Sequence, residues 1–448
     1  MIRRPPRSTL DRLSAASDVY KRQGIFTGKP AYVWISNQIG NNGILTGFQR
    51  LDGTTSSPLY TRGFNPDPDA YKPTTVTGAP ASSYELALTD PNFKFPQVWR
   101  SNVGVDQKLL FGFVGSAEFL YSKDINGIYY INANQTAPNS AFTGPDARPR
   151  WTSSSARKIY SKVDNAVVMK NQDVGYYYSI SASLEKPFTD NWYFKAGYNY
   201  GIAKNTVDAG SIAFGSWNNN QHSGNPNNPG VGFSFNSPGH RVFGALSYKL
   251  EYFDFGSTTV SLFIEGITQG NASYVFSGDM NGDGGTSNDL IYIPKDQSEM
   301  NFEEYTVGTT TFTIDQQKAA WDEFINQDEY LAENRGKYAE RGAVFMPMVF
   351  RADLSLIQEF YTNFVDRKNS IQVRVDVLNI TNLLSKDLGV GDVFTTTTPL
   401  TYRSVDAENK PLYRLTNVGG KLITSTFAPS ANINDVFRIQ LGFRYNFN

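Results

Sequence analysis

Hydrophobic and polar positions alternate strictly at the end of this chain. Phe437, Ile439, Leu441, Phe443, Tyr445 and Phe447 interleave with Arg438, Gln440, Gly442, Arg444 and Asn446. Successive side chains of a strand point to opposite faces, so the run predicts a strand with one apolar and one hydrated face, as in the wall of a transmembrane β-barrel. The pattern recurs upstream. Over residues 369–382, Ile371, Val373, Val375 and Val377 alternate with Gln372, Arg374 and Asp376; over 349–360, Phe350, Ala352, Leu354 and Leu356 alternate with Arg351, Asp353 and Ser355. Residues 176–185 and 192–202 put Tyr178, Ile180, Ala182, Leu184, Phe194, Ala196, Tyr198 and Tyr200 on the apolar face. Residues 109–122 put Leu109, Phe111, Phe113, Gly115, Ala117, Phe119 and Tyr121 there, with Leu110, Val114 and Leu120 as exceptions on the other face. With a further candidate at 31–36, the pattern predicts about ten strands, most of them long enough to cross a bilayer at a tilt.

The segments between strands come in two sizes. Short ones lie at residues 104–108, 187–191, 253–257 and 361–368; long ones lie at 123–165, 204–239, 269–347 and 383–435. Outer-membrane barrels have this asymmetry, with tight periplasmic turns and long outer loops. Aromatic residues gather at strand ends, at Trp192, Tyr252, Phe253, Phe360 and Phe447, where an amphipathic ring suits the boundary between membrane and water. A soluble β-sandwich also alternates, but it gives no reason for the loop lengths to alternate as well. The expected fold is therefore all-β, a transmembrane antiparallel β-barrel.

Composition narrows the field further. Mean hydropathy is -0.40, and no run approaches the roughly 18 apolar residues of a membrane helix. Tyr (26), Phe (31) and Gly (38) are abundant, which favours strands joined by turns. The 41 basic and 42 acidic residues nearly cancel, so no overall field draws the chain to nucleic acid. With no cysteine, disulfides, thiol catalysis and thiolate metal sites are excluded. Residues 1–23 are rich in Arg and Ser, with no apolar stretch of signal-peptide length. They read as a non-native, adapter-derived leader or a disordered basic arm, with the native frame expected from Gly24 onward as the later part of a longer protein.

Candidate chemistry is sparse. Asp279, Asn281 and Asp283, followed by Gly284, occupy positions 1, 3, 5 and 6 of a calcium loop, where a hard cation finds oxygen ligands. Position 12 is Leu290 instead of the usual Glu, and Asp289 offers the nearest carboxylate; the other reading is a solvated Gly/Asp turn. Thr313 and Gln316 form a capping-box pattern ahead of Trp321, Phe324 and Ile325, which predicts a loop helix ending near Gly336 and packing over the barrel mouth. The stretch from Trp217 to His222 offers a ring and amides for a sugar or peptide, or else is a flexible polar loop tip. His222 and His240 are the only histidines. With no nucleophile elbow and no phosphate-binding loop, the expectation is that this is not an enzyme. Arg351, Arg374 and Arg444 are expected to line the lumen as charge pairs across neighbouring strands.

Several segments resemble the TonB-dependent outer-membrane receptors, specifically their Oar-like branch: FTGKPAYVWISNQIGNNG from Phe26, FPQVWRSNVGVDQKL from Phe95, GYYYSISASLEKPF from Gly175, NSPGHR from Asn236, DMNGDGGTSNDLIYIP from Asp279 and RGKYAERGA from Arg335. The resemblance covers the chain after Gln23. It implies a barrel of about 22 strands around an N-terminal plug, a TonB box contacting the inner-membrane motor, and residues 24–448 as the C-terminal part, with about 12 strands lying outside this sequence. A part of that size alone is not expected to close, because its outermost strands would bear unpaired backbone groups. The resemblance also makes Phe443, Tyr445 and Phe447 a signal for the barrel-assembly machinery, with Asn448 as one residue beyond the usual aromatic end. It places the protein among outer-membrane lipids and gives its outer loops an unidentified ligand. Transport through the plugged barrel is the first functional expectation, and a surface-structural or adhesive barrel without active transport is the alternative.

Overall fold

The computed structural model describes residues 17–29, 31–40, 63–71, 83–364 and 367–447. Ten strands run in chain order through one antiparallel sheet: β1 (Ser17–Thr27), β2 (Gln97–Lys108), β3 (Val114–Asp124), β4 (Tyr176–Thr189), β5 (Trp192–Asn205), β6 (Gly239–Tyr252), β7 (Gly256–Thr268), β8 (Met348–Phe364), β9 (Arg367–Leu378) and β10 (Arg438–Phe447). Each pairs with its chain neighbours, and the short Gly232–Phe233 strand adds to β5. Among the described residues, β1 bonds only β2 and β10 bonds only β9.

Register explains the alternation in the sequence. Tyr248, Val260, Leu356, Val375 and Leu441 stand in one row across β6 to β10, and Ser247, Ser261, Ser355, Asp376 and Gln440 stand in the next. The large side chains of the first face are mostly exposed, with Leu356 at 42%, Leu441 at 64% and Phe443 at 78%. Lipid replaces a protein core on this face. The second face carries polar and charged groups, including the pairs Arg241–Glu265 and Arg374–Asp376.

Connections alternate short and long without exception, so the five long ones, residues 28–96, 125–175, 206–238, 269–347 and 379–437, numbered here in chain order, all leave from the same end of the sheet. At the other end, Asp190 and Asn191 take φ of +52° and +69°, the mirror-image turn whose twist suits a two-residue hairpin. Phe253 and Asp254 likewise have positive φ.

Four sequence expectations change. The first hairpin turns at Leu109–Phe113, later than the alternation suggested, and Leu110 and Phe111 are 79% and 86% exposed at its tip. An apolar turn tip there carries the alternation beyond the strand, and Gly112 at φ +78° allows the reversal. Residues 31–36 are not a strand but lie mostly in α1 (Tyr32–Gly40), which buries Trp34. The short amphipathic run satisfies either period, and packing decides. Residues 1–16 of the expected leader lie outside the described residues, but Ser17–Gln23 are not disordered: β1 pairs with β2 across the Gln23–Gly24 boundary, Gln23 opposite Ser101 and Gly24 opposite Arg100. Finally, Arg374 and Arg351 do not bridge neighbouring strands in the sheet. Arg374 meets Asp376 two residues along its own strand, and Arg351 meets Asp435, which precedes β10.

The apolar interior of the molecule lies in the long connections. One cluster joins Phe142 of the second, Tyr274, Phe276, Ile291, Trp321 and Phe324 of the fourth, and Leu400, Tyr413 and Ile423 of the fifth. A smaller one gathers Trp34, Tyr130, Val167, Met169, Val207, Ala213 and Trp217 from the first three. It surrounds α2 (Ala213–Asn218) and a three-stranded sheet of Tyr84–Thr89, Gly127–Asn132 and Val163–Gln172. The predicted capping box is present at the start of α3 (Ile314–Gln327), which presents Trp321, Phe324 and Ile325 to the larger cluster. This helix stops earlier than expected because the Asp328 carboxylate accepts the Leu331 N–H and starts α4 (Glu329–Glu333); Gly336 at φ +77° follows. Asp328 also receives the hydroxyls of Tyr274 and Thr426, tying the fourth connection to the fifth.

Candidate cation centre in the loop layer

The Asp279–Gly284 run forms a tight coil. Gly282 and Gly284 take φ of +79° and +98°, which brings their N–H groups to the Asp279 carboxylate at 2.8 and 2.9 Å. The Asp283 N–H donates to Asn281 Oδ1 at 2.9 Å, and the Trp151 N–H donates to the Asn281 carbonyl at 2.7 Å. The coil is thereby pressed against the second connection.

His222 arrives from the third connection. Its N–H donates to the Asn288 carbonyl and its carbonyl accepts the Leu290 N–H, each at 2.9 Å. His222, Asp283 and Asp289 thus meet, with a ligand atom of each within 4.8 Å of the others, and all are buried. Asn281 and Asn288 complete a buried cluster. Sequence spacing pointed to Asp279, Asn281, Asp283 and Asp289, of which Asp279 stands outside this group. It had no means of bringing in His222, more than fifty residues upstream, and the Asn288 side chain carried no signal separable from an ordinary turn.

The imidazole's role follows from its partners. Nδ1 accepts the Gly224 N–H at 3.1 Å, so the ring proton sits on Nε2 and is donated to Asp283 Oδ2 at 2.9 Å. His222 therefore has no lone pair left for a metal and orients a carboxylate instead. Asn281 Nδ2 adds a bond to the same oxygen at 3.2 Å, and the Gly285 N–H reaches Asp283 Oδ1 at 2.7 Å. Burial works against the Asp283 charge, yet the His222 bond holds its carboxyl below the usual range. Asp289 receives the Met280 N–H at 3.0 Å and Arg148 at 3.4 Å, and burial pushes it up to about 7 against the pull of that arginine. Burial, then the neighbouring Asp283 charge, also raises Asp279. Each Asp279 oxygen accepts one N–H, which leaves each a second lone pair. What the cluster can offer a cation is oxygen, the donor set of calcium rather than zinc.

Arg148 is the staple beneath this centre. Its side chain is fully buried between Asp146 and Asp289, donates to the Leu290 carbonyl at 2.7 Å, and lies over the Phe276 and Tyr338 rings. Trp217, read from sequence as a ligand grip or part of a flexible tip, is only 2% exposed and donates its indole N–H to Asn227. It is core. His240 stands apart in β6, its Nδ1 2.7 Å from the Tyr198 hydroxyl. Phe443, Tyr445 and Phe447 all lie on the lipid face of β10, at 78%, 60% and 74% exposure.

A sheet with a lipid face, a wet face and every long connection on one end is the wall of an outer-membrane β-barrel, and no described helix is long and apolar enough to cross a membrane. The comparison with protein families agrees: residues 23–391 match the model described as outer membrane beta barrel domain. The chain belongs to that family, which places it in the bacterial outer membrane. No curated protein matches it at a significant level.

Proposed function

We propose that this barrel is a TonB-dependent receptor, in which the loop layer captures a ligand and the inner-membrane motor drives its uptake through a plugged barrel. The observation that carries the reading is the loop layer itself. The described parts of five long connections fold together around two apolar clusters, so they present a fixed surface, as ligand capture requires. The segments resembling Oar-like receptors give the reading its energised step. A calcium ion held by the oxygens of Asp279, Asn281, Asp283 and Asp289 belongs to the same proposal, as a brace for the coil that joins the second, third and fourth connections.

The test is uptake of fluorescent tripeptide and oligosaccharide pools by cells carrying the full-length gene, with the motor intact or deleted. Receptor-dependent uptake that disappears with the motor supports the proposal. Uptake that persists without the motor, together with loss of cell adhesion on deleting the receptor gene, would establish the adhesive alternative.

A further inference from the structure

The larger apolar cluster does not fill the loop layer completely. A cavity of about 270 Å³ lies where the second, fourth and fifth connections meet, bounded by Thr143 and Asp146, by Tyr292 and Ser298–Phe302 with Lys318 and Trp321 of α3, and by Asp406, Lys410 and Tyr413. Ser298 brings its wall to the surface. Its lining is mixed in a specific way. Asp146 is matched by Arg148, and Lys410 by Glu408. Lys318, Glu299 and Asp406 enter no salt bridge among the described residues, although all three line the cavity.

The two carboxylates are held in place by neutral donors. Glu299 Oε2 accepts the Tyr292 hydroxyl at 3.1 Å and the Lys295 N–H at 2.8 Å. Asp406 accepts the Lys410 N–H at 2.8 Å, the Glu408 N–H at 2.9 Å and the Asn301 amide at 3.1 Å. These bonds orient the carboxylates; the Lys410 ammonium, paired with Glu408, also acts on Asp406 from a distance, while Glu299 keeps Oε1 open among the described residues. Lys318 is half-buried on a helix fixed through Trp321. A cavity with anchored anions and an unmatched ammonium is complementary to a molecule carrying both a cation and an anion.

Resting on the receptor reading above, we propose that this cavity binds the charged ends of a short peptide, its ammonium toward Glu299 and Asp406 and its carboxylate toward Lys318. The Tyr292, Phe302 and Tyr413 rings and the Asn301 amide supply the neutral walls such a ligand needs. A sugar acid would satisfy Lys318 but would leave Glu299 without a cation.

The experiment is calorimetric titration of the full-length protein, purified from outer membranes, with triglycine, N-acetyl-triglycine, triglycine amide and glucuronic acid. Triglycine is expected to bind, and blocking either end to weaken binding about tenfold or more, the scale of a lost charged hydrogen bond. In Lys318→Met the free peptide and its amide become equal; in Glu299→Gln the free and acetylated peptides move together. Retained heat-modifiable mobility checks that each variant folds. Equal affinity of blocked and free peptides in the unaltered protein, preference for glucuronic acid, or an undiminished demand for the carboxylate in Lys318→Met would overturn the proposal. Peptide binding without motor-dependent uptake would sink the transport reading and leave this cavity assignment standing; motor-dependent uptake of another ligand would do the reverse.

Discussion

A single arginine placed on either face of the wall tests whether the alternation faces lipid. Leu356 is at the middle of β8, with Val260 and Val375 beside it in the register and 42% of its surface exposed. Leu356→Arg therefore puts a charge near the bilayer midplane with no charged neighbour in its row. The cost expected for a lipid-facing arginine at that depth is about 2–4 kcal/mol, a drop of roughly 30- to 1000-fold in the folded-to-unfolded ratio. Gln440→Arg supplies the same charge on the opposite face of β10, directly across from Asp376, where the change should stay within about 1 kcal/mol. The assay is reversible denaturant unfolding in phosphatidylcholine vesicles, followed by tryptophan fluorescence of the full-length protein. Equal losses at the two sites, or a Leu356→Arg change below about 0.5 kcal/mol, would refute the assignment of faces.

Three further outcomes are expected. Arg148→Met strands the Asp146 and Asp289 carboxylates in the interior, and should lower the stability of the loop layer by about 3–5 kcal/mol; unchanged hydrogen-exchange protection near residues 146–151 and 289–291 would count against its role as a staple. Asn191→Ala keeps a Cβ at φ +69° but loses the local side-chain bonds that let asparagine adopt this conformation, at about 1 kcal/mol, whereas Asn191→Gly should cost little; equal melting temperatures for the two variants would contradict the turn geometry. Calcium at about 100 times its dissociation constant should stabilise the layer by about 2.7 kcal/mol, an effect reversed by EGTA and absent in Asp283→Asn; a melt indifferent to calcium would leave the cluster as a self-contained polar core.

The wall was legible from sequence because one period and one environment govern it. Residues such as Val373 and Arg374 need only point to opposite faces, and lipid on one side makes the sorting strict. The boundaries were less legible where apolar residues serve something other than a strand, as at Leu110 and Phe111 on a turn tip or Trp34 on α1. The capping box at Thr313 could be read because its bonds span only three residues. The cation centre was half legible for the same reason. Asp279 to Asp283 is local, but His222, Arg148 and Trp151 reach it through folding that no spacing rule encodes. The cavity was not legible at all, since Thr143, Lys318 and Lys410 come from three separate connections.

That separation bears on how the molecule is assembled. Thr143 hydroxyl meets the Glu408 carbonyl, and Asn409 donates to the Ala141 carbonyl, across 265 and 268 residues of chain. Free segments so far apart would meet rarely, because closing each loop costs entropy before any contact rewards it. Once hairpins from β3 to β10 are zipped, the same segments emerge side by side from one rim. The wall is then a jig, and the order of assembly runs from the bilayer outward: a slip of one residue in a hairpin would misplace the ends from which the whole outer cap is built.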